Sequence, residues 1–168
     1  MIKLKRKGIV YSIVLAIAIV FILLYMWYRS IMTDRWSLEE QAERLVLQET
    51  DVVEISEVTM FTGEQVIAAV FGNNDQAQET VVWVSKDAGI IHQALLKDSI
   101  NEQQMREQVL QADSDKQIIR VVPGTLREQY VWEVYYSKEE EGNERYYYDF
   151  YLFSDGTWLE TYRLTTDF

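Results

Sequence analysis

The sequence has 168 residues, enough for one ordinary domain or two small ones. It contains no cysteine, which excludes disulfides, thiolate metal sites and catalytic thiols, and its one histidine, His92, excludes a metal site with two histidine ligands. The net charge is −11, but four of the 16 basic residues and no acidic residue precede residue 29, so residues 29–168 carry −15. Because so acidic a surface repels phosphate backbones, nucleic-acid binding is disfavoured.

The first thirty residues predict a membrane anchor. A basic tail at residues 1–8, MIKLKRKG, precedes an uncharged apolar run of twenty residues at positions 9–28. A helix of that length spans roughly 30 Å, the thickness of the hydrocarbon core of a bilayer. Tyr25, Trp27 and Tyr28 would lie at the outer interface, and the positive-inside rule places the tail in the cytoplasm. We therefore expect a single-pass protein of the cell membrane whose remaining residues are extracellular.

A cleaved signal peptide is the alternative interpretation of the same segment. The apolar core of a signal peptide is usually about 7 to 15 residues long and ends in a small-x-small cleavage site. Here the apolar run is longer and passes directly into the bulky sequence Tyr-Met-Trp-Tyr-Arg. Both features favour an uncleaved anchor, while the flanking charges and interfacial aromatic residues argue against a buried core helix.

Residues 37–96 are predicted to form a first domain with one helix and four strands. After a juxtamembrane linker at residues 29–36, Ser37 and Glu40 have the spacing of a capping box that starts a helix. Short runs rich in Val, Ile, Phe and Trp follow, and turn residues, such as those at positions 72–75, separate them. The predicted strands are residues 52–61, 64–71, 80–85 and 90–94.

The same order recurs in a second predicted domain, residues 97–168. Ser99 and Glu102 repeat the capping-box spacing, and the dipeptide at residues 123–124, Pro-Gly, is expected to end the first strand. The predicted strands are residues 117–122, 129–137, 145–153 and 157–164. The fold class is therefore α+β, with one helix packed on a four-stranded antiparallel sheet in each domain. Because a unit of sixty residues buries only about 60% of its unfolded surface, the two domains should pack together.

Strand alternation predicts a partner-binding face on the second sheet. We expect Tyr135, Tyr147, Asp149 and Tyr151 to lie on its open face, with Trp132 either in the core or as an anchor of the contact. Tyrosine suits such a face because it offers contact area and a hydroxyl group with little entropy to lose. The alternative is that these rings only stabilise the sheet through cross-strand pairs or pack against the first domain.

The residues that enzymatic chemistry requires are missing from the sequence. There is no G-x-S-x-G motif to pair with His92, no glycine-rich phosphate loop, and no alternating set of oxygen ligands for calcium. A lone histidine without a partner motif is usually structural. We therefore expect no enzymatic activity, no catalytic residue, no cofactor and no metal.

Several aromatic motifs resemble those of one known family. They are WEVYY at residues 132–136, YYYDF at 146–150 and DGTW at 155–158, with a looser counterpart in VWV at 82–84 and DAG at 87–89. With the basic tail and apolar run before them, these motifs make the chain similar to the TseB/YpmB-like proteins of low-GC Gram-positive bacteria. That resemblance implies two tandem cystatin-like domains related to PepSY domains.

The resemblance also implies a function in cell-wall elongation. Members of the family are membrane-anchored partners of a penicillin-binding protein of the elongation machinery, which synthesises peptidoglycan. PepSY relatives in metalloprotease propeptides instead inhibit a protease or assist its folding. A regulator acting by extracytoplasmic protein contact is thus the expected function, with a protease-inhibiting or chaperone-like module and an envelope ligand sensor as alternatives.

Overall fold

The computed structural model describes residues 2–63 and 65–164, with side chains described at 15–29, 38–63 and 65–164. The chain divides into two compact units, Met1–Leu38 and Glu39–Phe168. The first contains most of a long helix, α1, and the second contains the end of that helix and everything that follows.

Helix α1 runs from Ile2 to Glu49 without interruption. The expectation that a helix starts at Ser37 is therefore wrong, because the backbone is already helical before that residue. The side chain of Ser37 is not among those that the structure describes. The predicted membrane span, residues 9–28, falls within α1. The side chains at positions 15–28 of this span are exposed, and those at positions 9–14 are not among the described ones. Within the described part of the chain, no helix combines the length and the apolar character of a membrane span.

The first sheet is a meander in which neighbouring strands pair antiparallel in chain order. Its strands are β1 (Val52–Thr62), β2 (Val66–Asn74), β3 (Glu79–Ser85) and β4 (Gly89–Leu95). Residue 64, the predicted start of the second strand, lies outside the described residues.

Strand β2 includes residues 72–74 of the turn predicted at residues 72–75 and ends at Asn74. Gly72 lies inside the strand, where an added Cβ would stand 2.2 Å from the carbonyl oxygen of Glu54 on β1. The glycine thus permits a close approach of two backbones beside a bulge, and does not form a turn. The turn follows Asn74, whose side-chain oxygen accepts hydrogen bonds from the backbone N–H groups of Gln76 and Gln78, at 3.1 and 2.8 Å.

Helix α2 spans Glu102–Ala112 and begins later than its sequence predicted. Asn101 is the N-cap: its side chain accepts from the N–H of Gln104, and the Gln104 side chain accepts from the N–H of Asn101. The predicted capping box of Ser99 and Glu102 is therefore wrong. The Ser99 hydroxyl instead donates to the carbonyl of Leu96 and closes a 3₁₀ turn before the helix.

The second sheet is also an antiparallel meander in chain order. Its strands are β5 (Gln117–Leu126), β6 (Gln129–Glu140), β7 (Asn143–Leu152) and β8 (Trp158–Arg163). Pro123 does not end β5, because an edge strand tolerates a residue without an N–H group on its unpaired side. The chain turns instead at Arg127 and Glu128, both with positive φ, as in a two-residue hairpin turn.

One hydrophobic core joins the two sheets and α2. It includes Phe61 and Trp83 from the first sheet, Met105 from α2, and Trp132 and Phe153 from the second domain. The α+β fold with two four-stranded antiparallel sheets, each with a helix packed on it, is thus confirmed. The boundary between residues 96 and 97 stays a prediction.

Candidate partner-binding face

The register of β6 and β7 separates the second sheet into two faces. Trp132 lies directly opposite Tyr151 and Val134 opposite Asp149. Residues opposite each other in an antiparallel pair point to the same side, and we call this side the covered face because α2 packs on it. The other side, the open face, carries Arg120, Glu133, Tyr135, Tyr146, Tyr148 and Tyr162.

Trp132 belongs to the core of the covered face. Its side chain is 1% exposed, and its indole N–H donates to the carbonyl oxygen of Ile100, just before α2, at 3.0 Å. Its ring stacks on that of Phe153 with centroids 5.2 Å apart. These contacts tie the sheet to the start of α2 and leave little of the ring for a partner.

Asp149 is the centre of a buried hydrogen-bond network on the covered face. Its carboxylate is 1% exposed and accepts from Lys116 Nζ at 2.7 Å, Thr161 Oγ1 at 2.5 Å, and the hydroxyls of Tyr136 and Tyr151 at 3.3 and 3.2 Å. Four donors replace the water that the carboxylate loses on burial. The network thereby joins the segment after α2 to three strands.

The two tyrosine hydroxyls beside Asp149 are held in their neutral form. Burial raises the pKa of Tyr136 and of Tyr151, and the nearby Asp149 carboxylate raises both further because it repels a phenolate. The Lys116 ammonium lies 4.4 Å from the Tyr136 ring centroid. This arrangement stabilises the sheet and provides no nucleophile near neutral pH.

The open face carries a ladder of tyrosines. Tyr135 on β6 stacks on Tyr148 with centroids 4.8 Å apart and on Tyr146 with centroids 5.9 Å apart, both from β7. All three rings are partly exposed. This half-exposed aromatic surface has the character of a protein-binding face.

An ion pair with a buried carboxylate lies beside the tyrosine ladder. The Glu133 carboxylate accepts from Arg120 Nη2 at 2.6 Å; the Glu133 side chain is 7% exposed, while that of Arg120 is 42% exposed. Burial raises the pKa of Glu133, and the positive charge of Arg120 opposes that rise. The open face therefore presents the Arg120 guanidinium group, with the carboxylate of Glu133 buried beneath it.

The prediction that Tyr135, Tyr147, Asp149 and Tyr151 share one open face is wrong, and of the two roles predicted for Trp132 the structure gives it the one in the core. Trp132, Asp149 and Tyr151 are buried on the covered face, and Tyr147 is partly exposed at its end. Tyr135 alone lies on the open face. Whether any of them contacts a partner stays a prediction.

Strand alternation alone does not predict that Tyr146 and Tyr148 lie beside Tyr135, because that also requires the register of the hairpin between β6 and β7. Glu141 and Gly142 both have positive φ, so they form a two-residue turn that pairs Glu140 with Asn143. Counting back from that pair places Tyr135 opposite Tyr148. The glycine that follows the acidic run, Gly142, was the signal available for this turn, because glycine is preferred at the second position of such a hairpin turn.

His92 lies in an aromatic junction between the sheets. Its ring stacks on that of Tyr130 with centroids 3.9 Å apart, and the Trp83 ring lies 5.3 Å away. The Tyr130 hydroxyl donates to the carbonyl of Ile91 at 3.2 Å. Burial lowers the pKa of His92, consistent with a structural imidazole.

A family model for the cell wall elongation regulator TseB-like domain matches residues 41–85. Residues 41–85 are similar to a TseB-like domain. The match includes the end of α1 and strands β1 to β3, whereas most motifs behind the predicted resemblance lie in the second sheet. The resemblance to the TseB/YpmB-like family is thus confirmed, through the first domain.

A solved structure supports the fold of the TseB-like domain and of the strands after it. The YpmB protein from Bacillus subtilis superposes with a TM-score of 0.63 at 24% sequence identity, covering 74% of this chain and 96% of that protein. At this identity the similarity establishes the fold alone. Among curated proteins, no sequence matches the chain significantly.

Proposed function

We propose that this protein is a non-enzymatic, membrane-anchored regulator of cell-wall elongation that acts by protein contact outside the membrane. The observation that carries the proposal is the match of residues 41–85 to a domain described as a cell wall elongation regulator. The absence of a nucleophile motif from the sequence and the structural contacts of His92 are consistent with a regulator that has no chemistry of its own.

The proposed anchor is the apolar segment at residues 9–28, with the basic tail in the cytoplasm. Its support comes from the sequence: twenty uncharged residues, a preceding basic cluster and aromatic residues at the outer end. Tethering would confine the domains near the membrane and raise their effective concentration for another membrane protein. A weak contact would then suffice for regulation.

The proposed partner is a penicillin-binding protein of the elongation machinery, and the proposed contact is the open face. Tyr135 is kept from the sequence prediction, and Tyr146 and Tyr148 are added because they stack with it. Partly exposed tyrosines supply apolar area with hydroxyl groups at the rim, as in protein interfaces. Arg120, exposed beside them, is a donor for an acidic partner group.

Cross-linking in living cells tests this proposal with the full-length, tagged protein. Wild type should enrich a penicillin-binding protein, and the variant Tyr135→Asp with Tyr148→Asp should lose it. A matched control, Val53→Asp with Leu110→Asp, charges two exposed apolar residues elsewhere and should retain the partner. Circular dichroism of each purified variant checks folding.

Other outcomes of the cross-linking would overturn the proposal. Enrichment of a secreted protease in place of a penicillin-binding protein would favour an inhibitor or chaperone. If no protein is enriched and cell-wall fragments raise the melting temperature of the protein, a ligand sensor becomes the better description.

A further inference from the structure

The first sheet has an inner face, which is the face toward α2. A groove lies on the part of this face that extends beyond the start of α2. Its volume is about 340 Å³. The partly exposed Phe71 and Leu96 supply its apolar surface, the buried Trp132 forms part of its wall, and Leu96 also borders an adjoining depression of about 250 Å³. The two depressions share Glu79, Leu96 and Asn101 in their linings, and neither is lined by a residue of the tyrosine ladder.

The groove exists because α2 begins with polar residues. Met105 and Val109 are the buried residues of the helix, and they cover the middle of the inner face. The preceding turn, at residues 102–104, has the sequence Glu-Gln-Gln and provides no apolar side chain to cover Phe71. Phe71 consequently stays partly exposed at the end of an otherwise buried row.

Two carboxylates flank Phe71 on the same face of the sheet. Glu57 lies directly opposite Phe71 on β1, and Glu79 lies opposite Asn73, two residues further along β2. Both are exposed and line the groove. Among the described side chains, neither carboxylate has an ion-pair partner.

The remaining charges near the groove do not neutralise these two carboxylates. Glu102, a third acidic residue of the lining, is already paired with Arg106 at 2.7 Å. Lys97 borders the adjoining depression together with Glu79, but the two side chains form no ion pair in the described part of the chain. The groove therefore combines an apolar floor with an uncompensated negative rim, and its charge complement is a cation.

We propose that this groove docks an extended segment of a partner protein, with an apolar side chain on Phe71 and, two residues away along the segment, a lysine or arginine between Glu57 and Glu79. The inference rests on the proposed function only in taking a protein as the occupant. In an extended chain, side chains two residues apart point to the same side and lie about 6.6 Å apart, so they can reach neighbouring parts of the groove. Ser56 and Asn73 line the groove and offer polar groups to the main chain of the segment.

The first test is a titration of the full-length protein, purified in mild detergent, with a short acetylated peptide of sequence Ser-Ala-Leu-Ala-Lys-Ala-Ser, in which leucine and lysine point to the same side when the peptide is extended. We expect the indole N–H resonance of Trp132 to shift on binding, because that group lies at the groove wall and bonds to Ile100. A peptide with glutamine in place of lysine should bind at least about fivefold more weakly, since it lacks the ion pairs.

A pair of matched variants locates the binding in the groove. Glu57→Gln with Glu79→Gln should weaken binding of the lysine peptide by about the same fivefold factor and should remove most of its salt dependence. The control, Glu43→Gln with Glu128→Gln, removes the same charge from exposed positions outside the groove lining and should bind as wild type does. Equal binding of both peptides by wild type, or equal losses in both variants, would overturn the inference.

The same variants, tested in cells, separate this inference from the proposed function. If the Glu57 and Glu79 variant loses the cross-linked penicillin-binding protein and the control keeps it, both stand. If both variants keep it, the proposed function stands and the groove does not dock that partner, which overturns the inference. If wild type captures no penicillin-binding protein, the proposed function fails, and the peptide titration alone decides whether the groove binds basic segments.

Discussion

The two sheets have the same strand order and number but differ in what covers them. In the first sheet, Ala68 and Val82 on one face are fully buried, and so are Ala69 and Trp83 on the other. In the second sheet, the face toward α2 buries Trp132 and Asp149, whereas on the opposite face Tyr135 and its neighbour Tyr148 stay partly exposed. A repeated architecture therefore does not imply a repeated environment.

The strand sequences reflect this difference. Strand β3 contains a continuous run, VVWV at residues 81–84, and such runs are typical of strands buried on both faces. Strands β6 and β7 instead carry tyrosines and charged residues on both sides, so the polarity of their side chains does not reveal which face is open. The position of α2 decides it.

Truncating one aromatic residue in each sheet should give the largest contrast. Trp83→Ala should lower the free energy of unfolding by about 3–5 kcal/mol, because it empties a fully buried site between Tyr130 and Phe153. Tyr148→Ala should cost about 1 kcal/mol, the loss of one stacked, half-exposed ring. Urea denaturation followed by circular dichroism measures both. Equal losses would show that the open face is part of the core.

Removing the buried carboxylate of the covered face should have the next largest effect. Asp149→Ala should destabilise the protein by about 3 kcal/mol, because it leaves Lys116 without its counter-ion and removes an acceptor shared by four donors. The same urea experiment applies. Asp115→Ala, at an exposed position nearby, is the control and should change stability little. A loss of less than about 1 kcal/mol for Asp149→Ala would mean that the network contributes little.

Two glycines with similar backbone conformations allow the cost of backbone strain to be distinguished from the cost of a steric contact. Gly142 and Gly156 have φ of 76° and 70°, but an added Cβ meets nothing at Gly142, whereas at Gly156 it would lie 2.8 Å from Gln108 Oε1 and 3.0 Å from Ile100 Cδ1. Gly142→Ala should therefore cost about 1 kcal/mol and Gly156→Ala about 2 kcal/mol. Thermal melts of the two variants, compared side by side, measure the difference. Identical melting temperatures would show that α2 adjusts freely to the added methyl group.

The smallest expected effect is a pH dependence at the junction between the sheets. Because burial lowers the pKa of His92, the unfolded chain binds a proton more readily than the folded chain below about pH 6.5. The contribution of His92 to stability should thus fall as the pH falls from 7.5 to 5. The measurement is the change in urea midpoint between these pH values, which should be smaller in His92→Gln than in wild type. An equal change in both proteins would assign the pH dependence to the carboxylates.

Strand existence was predictable, but several strand and helix ends were not. The alternation of apolar residues and the turn residues predicted all eight strands near their observed positions. The misplaced ends have local causes: Asn101 competes with Ser99 as the cap of α2, and Pro123 is tolerated within an edge strand. Such choices depend on which backbone groups find partners, and short patterns do not contain that information.

The candidate site was only partly predictable for a related reason. Alternation assigns residues to two sides of each strand but does not say which sides of neighbouring strands coincide. The turn at Glu141 and Gly142 sets that register and places Tyr135 with Tyr148. It also leaves Asp149 with Trp132 beneath α2.

The sequence by itself determined the order of helices and strands, the α+β class and the resemblance to cell-wall elongation regulators, because these depend on local patterns. Tertiary structure alone decided which face of the second sheet is open and where the groove at Phe71 lies. Both depend on how far α2 covers each sheet, and that coverage is set by contacts such as Trp132 with Ile100 that join residues distant in the chain.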